Sequence, residues 1–194
     1  TSATGLKPFR DFNTTVSPDF YHIEHTSAEA LRTIIEQEGA ETIAAFITEP
    51  IQGAGGVNLP PDGYLQKVRK ICDEYGILMI ADEVITGFGR TGKLFGMEHY
   101  GVVPDMMCFA KGVTSGYAQL GGVMLTGRLH EDFKRLSKDT LMHGYTYSGH
   151  PTACSVALKN IEIIERENLT EEKYSTTASK ISILGACDYR YPLT

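Results

Sequence analysis

From about residue 26 to residue 168, short apolar runs alternate with stretches of helical spacing, whereas residues 1–25 show no regular pattern. Short runs of consecutive apolar residues predict strands at 42–48, 77–81, 106–110 and 122–126. Between them, apolar residues recur every three or four positions, which predicts helices at 26–38, 63–75, 129–136 and 151–168. Regular alternation of strands and helices is typical of an α/β fold with a mostly parallel sheet flanked by helices. A run as apolar as 42–48 is expected to be a strand buried on both faces.

Three of the predicted strands lead into a charged residue. Glu49 follows the first strand, Asp82 the second and Lys111 the third. In parallel α/β sheets, ligands bind outside the carboxyl ends of the strands, so an acid and an amine there can face one bound molecule. Pyridoxal phosphate fits this pair, because its aldehyde reacts with a lysine and its ring nitrogen pairs with an aspartate. Taken singly, Asp82 is also a common type of turn residue and Lys111 a common solvated one.

A glycine pattern at residues 87–92 (GFGRTG) has the spacing of a dinucleotide-binding fingerprint. That fingerprint requires a strand that turns directly into a helix at the glycines. Here several residues separate the strand from the glycines, and residues 93–104 contain further glycines and a proline but no helical pattern. We therefore interpret the pattern as a structural loop that passes close to other backbone.

Composition limits the kinds of binding partner and the cellular compartment that we expect for this chain. The 194 residues carry a formal net charge of −6 and contain no basic run, which argues against a nucleic-acid partner. No apolar run approaches a membrane span and no signal peptide opens the chain, so we expect no membrane partner. The four cysteines form no close pair and the histidines show no ligand spacing, which predicts no metal site and a cytoplasmic location.

Four segments, in order, resemble the class III aminotransferases, which are pyridoxal-phosphate enzymes of fold type I. They are residues 46–53 (FITEPIQG), 80–92 (IADEVITGFGRTG), 110–112 (AKG) and 143–151 (HGYTYSGHP). Residues 111–123 and 145–150 look most like the subgroup of ω-amino acid or amine:pyruvate transaminases. The resemblance runs from about residue 5 to residue 170.

The resemblance implies a role for five residues. Lys111 would be the catalytic lysine that forms a Schiff base with the cofactor, and Asp82 would pair with the pyridine nitrogen. Val84 would pack against the ring, with plain core packing as the alternative. Glu49 would lie on the cofactor and substrate side and orient Asp82 or a substrate group. Thr146 would donate its hydroxyl to the cofactor phosphate of a neighbouring subunit, which implies a homodimer.

The implied reaction transfers an amino group from an ω-amino acid or an amine to a keto acid such as pyruvate. Two alternatives stay open: a non-catalytic piece that keeps only the fold, and a related pyridoxal-phosphate enzyme, either an aminomutase or a decarboxylating transaminase. We expect residues 1–170 to be part of the cofactor-binding large domain and 171–194 to be an unassigned tail. The family's upstream phosphate-binding loop and C-terminal small domain have no counterpart here, so we expect a fragment with little or no activity alone.

Overall fold

The structure is a computed structural model that describes residues 2–12, 15, 17–139 and 141–170. Its helices in these ranges are α1 (Lys7–Asp11), α2 (Ala28–Glu38), α3 (Tyr64–Tyr75), α4 (Gly127–Leu136) and α5 (Pro151–Arg166). Its strands there are β1 (Ala45–Thr48), β2 (Leu78–Asp82), β3 (Met106–Phe109) and β4 (Gly122–Leu125). Each predicted strand and helix is present, with ends shifted by a few residues. The short helix α1 lies in a stretch whose sequence shows no regular pattern.

The four strands form one sheet in the order β1-β2-β3-β4. β1 and β2 pair in parallel, as do β2 and β3, whereas β4 runs antiparallel to β3. The prediction of a mostly parallel α/β sheet is confirmed. The reversal at β4 follows from its connection to β3, since residues 110–121 contain one short 3₁₀ turn and no crossover helix of the kind that joins parallel strands.

The hydrophobic core lies between one face of the sheet and helices α2 and α3. Met79 and Ala81 of β2 are both 0% exposed on this face, whereas the alternate residues of the strand are only half-buried. The expectation that residues 42–48 are buried on both faces is wrong for the described residues, because Ile47 is 43% exposed. The helices that form the core with β1 and β2 cover a single face of the sheet.

Asp105 fixes the start of β3 against its neighbours. Its Oδ2 accepts hydrogen bonds from the backbone N–H of Met79 at 2.9 Å and from Nη1 of Arg69 at 2.8 Å. Its Oδ1 accepts a hydrogen bond from Nη2 of Arg128 at 2.7 Å. One carboxylate thus joins β2, α3 and α4 at the amino ends of the strands. A cleft of about 440 Å³ lies at this edge of the sheet and is lined in part by Ile77 and these two arginines.

Candidate active site

The carboxyl ends of β1, β2 and β3 bring Glu49, Asp82 and Lys111 to one edge of the sheet. Thr48 pairs with Ala81, so the two carboxylates follow at matching positions on neighbouring strands. Asp82 pairs in turn with Cys108 of β3, and Lys111 follows shortly after that strand ends. This edge is opposite to the one that holds Asp105 and the cleft. Parallel pairing therefore gathers the three residues as the sequence pattern predicts.

Asp82 has one carboxylate oxygen engaged and one available. Its Oδ1 accepts a hydrogen bond from the backbone N–H of Val84 at 3.0 Å, while its Oδ2 has no hydrogen-bond partner among the described residues. Both residues are half-buried. The local hydrogen bond holds the carboxylate at the strand end, so the remaining oxygen can accept a hydrogen bond from a bound molecule.

Lys111 begins a 3₁₀ turn, Lys111–Thr114, directly beyond β3. Its side chain is exposed, and across the described ranges its amine makes neither a hydrogen bond nor an ion pair. Its backbone φ is +43°, in the left-handed region that residues other than glycine seldom adopt. Such a conformation persists only where the surrounding structure holds it, and it is most frequent at functional sites.

The charges of Asp82 and Lys111 both affect the pKa of Glu49. Burial has the largest effect on the Glu49 carboxyl and raises its pKa. The N–H of Gly53 donates to its Oε2 at 3.0 Å and opposes that rise. The negative charge of Asp82 raises the pKa further and the positive charge of Lys111 lowers it. Both residues are therefore near enough to influence the proton affinity of Glu49.

The glycine pattern at 87–92 forms an irregular loop that supports the Lys111 turn, as the structural interpretation predicts. A Cβ atom on Gly112 would lie 3.1 Å from the carbonyl oxygen of Gly87 and 3.2 Å from Cβ of Phe88. Only a glycine therefore allows the two backbones to approach so closely without displacement. No helix begins at these glycines, which excludes the strand–turn–helix geometry of a dinucleotide fingerprint.

Glu83 is a structural carboxylate for which the sequence shows no distinctive signal. It is 0% exposed and adjoins Asp82, yet its carboxylate points into the protein. Its Oε2 accepts from the N–H of Gly96 at 2.8 Å and from the Thr86 hydroxyl, and its Oε1 accepts from the N–H of Met97 at 2.8 Å. Glu83 thus fastens both ends of the loop that carries the glycine pattern.

Thr146 lies apart from the other predicted site residues. It is exposed within a turn in which the N–H of Ser148 donates to the carbonyl of Tyr145 at 2.9 Å. No hydrogen bond joins Thr146 to Glu49, Asp82 or Lys111 in the part of the chain that the structure describes. Thr146 is expected to serve a neighbouring subunit, and its exposure leaves the hydroxyl accessible to one.

The donor set at this edge fits pyridoxal phosphate. The fit rests on a carboxylate oxygen of Asp82 and an amine of Lys111, both without a hydrogen-bond partner in the described ranges and both at the ends of adjacent strands. In the same ranges, no three histidine, cysteine, aspartate or glutamate residues are grouped for a metal ion. No described helix is both long enough and apolar enough to cross a membrane.

Comparisons with known proteins identify the family of the chain. Residues 6–192 match the family described as Aminotransferase class-III. The chain is 50% identical, over 163 residues, to a putrescine–pyruvate aminotransferase from Pseudomonas aeruginosa, a match that covers 84% of the chain and 35% of the relative. The chain therefore spans about a third of the length of this curated relative.

Solved structures give the same result. A transaminase from the marine bacterium Virgibacillus superposes with a TM-score of 0.84 at 54% identity, over 87% of this chain and 40% of the other. An amine transaminase from an uncultivated Pseudomonas species, solved in a PLP-bound form, gives a TM-score of 0.71 at 45% identity over 82% and 34%. The sequence match and the shared fold together show that the chain belongs to the class III aminotransferases.

Proposed function

We propose that the protein transfers an amino group from an ω-amino acid or an amine to a keto acid such as pyruvate, with pyridoxal phosphate as its cofactor. The observation that carries the proposal is the placement of two groups at the ends of adjacent strands in a chain of this family. They are an Asp82 carboxylate oxygen and the Lys111 amine, both without a hydrogen-bond partner among the described residues. The relative named putrescine–pyruvate aminotransferase supports the choice of an amine donor and of pyruvate as acceptor.

Each site residue has a distinct task in this proposal. Asp82 accepts a hydrogen bond from the protonated ring nitrogen and keeps the proton there. When bound, pyridoxal phosphate supplies an electron sink for the pair of electrons left at the substrate carbon. Lys111 would hold the cofactor through Nζ until the amino group of the substrate replaces it. The amine released in this exchange would then take a proton from the substrate carbon that carries the amino group. Glu49 orients Asp82 or a polar group of the substrate, and Val84 packs beside the ring.

We also propose a cytoplasmic homodimer in which Thr146 of one subunit binds the cofactor phosphate held by the other. Exposure of Thr146 and of the aromatic residues around it supports this arrangement. The described cysteines, Cys72, Cys108 and Cys154, are free thiols, which supports a reducing compartment. The large-domain boundary at residue 170 stays a prediction, because the proposed tail at 171–194 lies outside the described residues.

The cofactor site can be tested by trapping. The chain is incubated with pyridoxal phosphate, its absorption spectrum is recorded, and the adduct is reduced with borohydride and located by peptide mapping. We expect the pyridoxyl group on Lys111 in preference to the other lysines. Lys111→Arg should abolish this label and Asp82→Asn should weaken it, while Lys138→Arg, on an exposed lysine remote in sequence, should leave it unchanged. Label spread evenly over the lysines would contradict the proposal.

The reaction itself needs a second assay. Production of alanine from pyruvate, with putrescine as the amino donor, reports the transfer directly. Specific trapping on Lys111 without alanine would preserve the cofactor site and favour the non-catalytic alternative, in which the chain keeps the fold without the reaction. With an amino acid as the donor in place of putrescine, release of carbon dioxide would identify the decarboxylating alternative. Migration of the amino group within the donor molecule would identify the aminomutase alternative.

A further inference from the structure

The turn that carries Lys111 is bracketed by two unusual backbone conformations. Lys111 has a φ of +43° and Ser115 a φ of +48°, although neither is a glycine. Residues held in this region cost free energy and keep the conformation only where their surroundings fix it. The Lys111 turn therefore needs an external support.

Asn160 of α5 supplies that support. Its Nδ2 donates hydrogen bonds to the carbonyl oxygens of Gly112 at 2.9 Å and Val113 at 3.1 Å. Its Oδ1 accepts a hydrogen bond from the Ser115 hydroxyl at 2.7 Å. The amide thus uses both of its donor hydrogens and its acceptor on one turn. Among the described residues, no other side chain forms a hydrogen bond with Gly112, Val113 or Ser115.

We propose that Asn160 is a positioning residue for Lys111. By fastening the turn from Gly112 to Ser115, it fixes the direction in which the lysine leaves the end of β3, toward the side where Asp82 ends β2. This inference rests on the proposed function, because it gives Lys111 the task of holding the cofactor. Helix α5 begins at Pro151, directly after the segment that contains Thr146. One helix therefore connects that segment with Asn160, which supports the Lys111 turn.

Hydrogen bonding, rather than the filling of space, explains the choice of asparagine. Residue 160 is only half-buried, whereas the buried residues of α5 are Ala153, Ala157 and Ile164. A leucine has the same branching and the same number of side-chain heavy atoms as asparagine but forms no hydrogen bonds. It would leave two backbone carbonyls and a hydroxyl without their partner, and the turn would open more easily.

The experiment compares Asn160→Leu with Ile164→Val in the full chain. The control variant loosens the packing of α5 and leaves the three hydrogen bonds of Asn160 in place. Circular dichroism and thermal unfolding first establish that both variants are folded. Hydrogen exchange at the Val113 and Ser115 amides, without cofactor, should then be about tenfold faster in Asn160→Leu and nearly unchanged in Ile164→Val. If Asn160→Leu does not fold, Ser115→Ala removes one of the three hydrogen bonds and should show a smaller increase.

A second readout follows the lysine itself. The concentration of pyridoxal phosphate that half-saturates the borohydride-trapped adduct on Lys111 should rise about tenfold in Asn160→Leu and stay near the wild-type value in the control. Unchanged exchange in a folded Asn160→Leu variant would overturn the proposal. Faster exchange with unchanged trapping would also overturn it, because the turn would then be supported without positioning Lys111.

The two proposals fail in distinguishable ways. If the wild-type chain forms no adduct on Lys111, the proposed cofactor site is rejected. The exchange measurement needs no cofactor and still decides whether Asn160 fastens the turn. Equal acceleration of exchange in Asn160→Leu and Ile164→Val would show general loosening of α5 and would reject a specific support.

Discussion

At the scale of single residues, strand alternation gives two adjacent carboxylates different environments. Asp82 is the last residue of β2 and lies on the half-buried face of the sheet. One of its carboxylate oxygens has no hydrogen-bond partner among the described residues. Glu83 points the other way, is 0% exposed, and has its carboxylate occupied by Thr86, Gly96 and Met97. The sequence alone cannot separate a ligand-facing acid from a structural one here, because both follow the same apolar run and their partners come from distant segments.

Glu49 provides a test of the electrostatics of the site through the pH dependence of stability. Its folded-state pKa is raised, chiefly by burial, so the folded protein binds this proton more tightly than the unfolded chain. Stability contributed by the protonated form is therefore lost as the pH rises from the ordinary carboxyl range through the folded pKa. Glu49→Gln can still accept the Gly53 hydrogen bond but cannot ionise. We expect its free energy of unfolding at pH 7 to be about 0.5 to 1 kcal/mol higher than that of the wild type.

The difference between Glu49→Gln and the wild type should disappear below about pH 4, where both side chains are uncharged. Urea unfolding at a series of pH values measures it. Glu41→Gln is the matched control, since Glu41 is exposed and should give the same curve as the wild type. A gain that persists unchanged at pH 3 would show that burial of charge at Glu49 is not its cause.

At the scale of elements, the strands of the sheet connect two groups of residues that lie at its opposite edges. Asp105 fastens the amino end of β3 to β2, α3 and α4, and Asp82 and Lys111 lie where β2 and β3 end. Burial acts to raise the pKa of the Asp105 carboxyl. The N–H of Met79 and the guanidinium groups of Arg69 and Arg128 outweigh burial, so the net effect lowers that pKa. The ionised form is thus the one that the fold stabilises.

Asp105→Asn is expected to destabilise the fold by about 3 kcal/mol at pH 7, because it leaves the largely buried Arg69 without its inner partner. Since the folded pKa is lowered, the contribution of Asp105 is present above the ordinary carboxyl pKa and is lost as the pH falls through the folded value. The gap between variant and wild type should therefore narrow in acid. Chemical unfolding at pH 7 and at pH 3 measures both effects.

Asp73→Asn is the control for Asp105→Asn. Asp73 pairs with the same Arg69 at 2.8 Å, but its side chain is 66% exposed. An exposed pair contributes less than about 1 kcal/mol, so the control should unfold close to the wild type. Equal losses in the two variants would contradict the view that the buried carboxylate organises this edge of the sheet.

The elements of the fold were predictable from the sequence, whereas their pairing was less so. Apolar runs and helical spacing predict β1–β4 and α2–α5, and glycines mark several of their ends. The antiparallel course of β4 depends on how residues 110–121 fold back, and this segment has no distinctive pattern. The support of the Lys111 turn by Asn160 was equally hidden, because 48 residues separate Asn160 from the Gly112 carbonyl.

At the scale of the whole molecule, part of the proposed site is expected to come from a second copy of the chain. The segment around Thr146 exposes large side chains, with Met142 at 92% and Tyr147 at 82% exposure. Exposed apolar groups clustered in one segment are typical of an interaction surface. The same segment precedes α5, which holds the Lys111 turn. A partner that docks on this segment would therefore also lie close to the proposed site of the subunit that carries the segment.

Mixing two inactive variants tests whether Thr146 serves the other subunit. Lys111→Ala removes the attachment point and Thr146→Ala removes the proposed phosphate ligand, so neither homodimer should retain pyridoxal phosphate through gel filtration. In a mixed dimer, the subunit that keeps Lys111 faces the subunit that keeps Thr146, and one complete site is restored. We expect borohydride to trap cofactor in the mixture, on Lys111 of the Thr146→Ala chain alone.

If Thr146 instead serves its own subunit, both sites of the mixed dimer stay incomplete and nothing is trapped. Sedimentation of the wild-type chain as a monomer would reject the shared site, whatever the mixture shows.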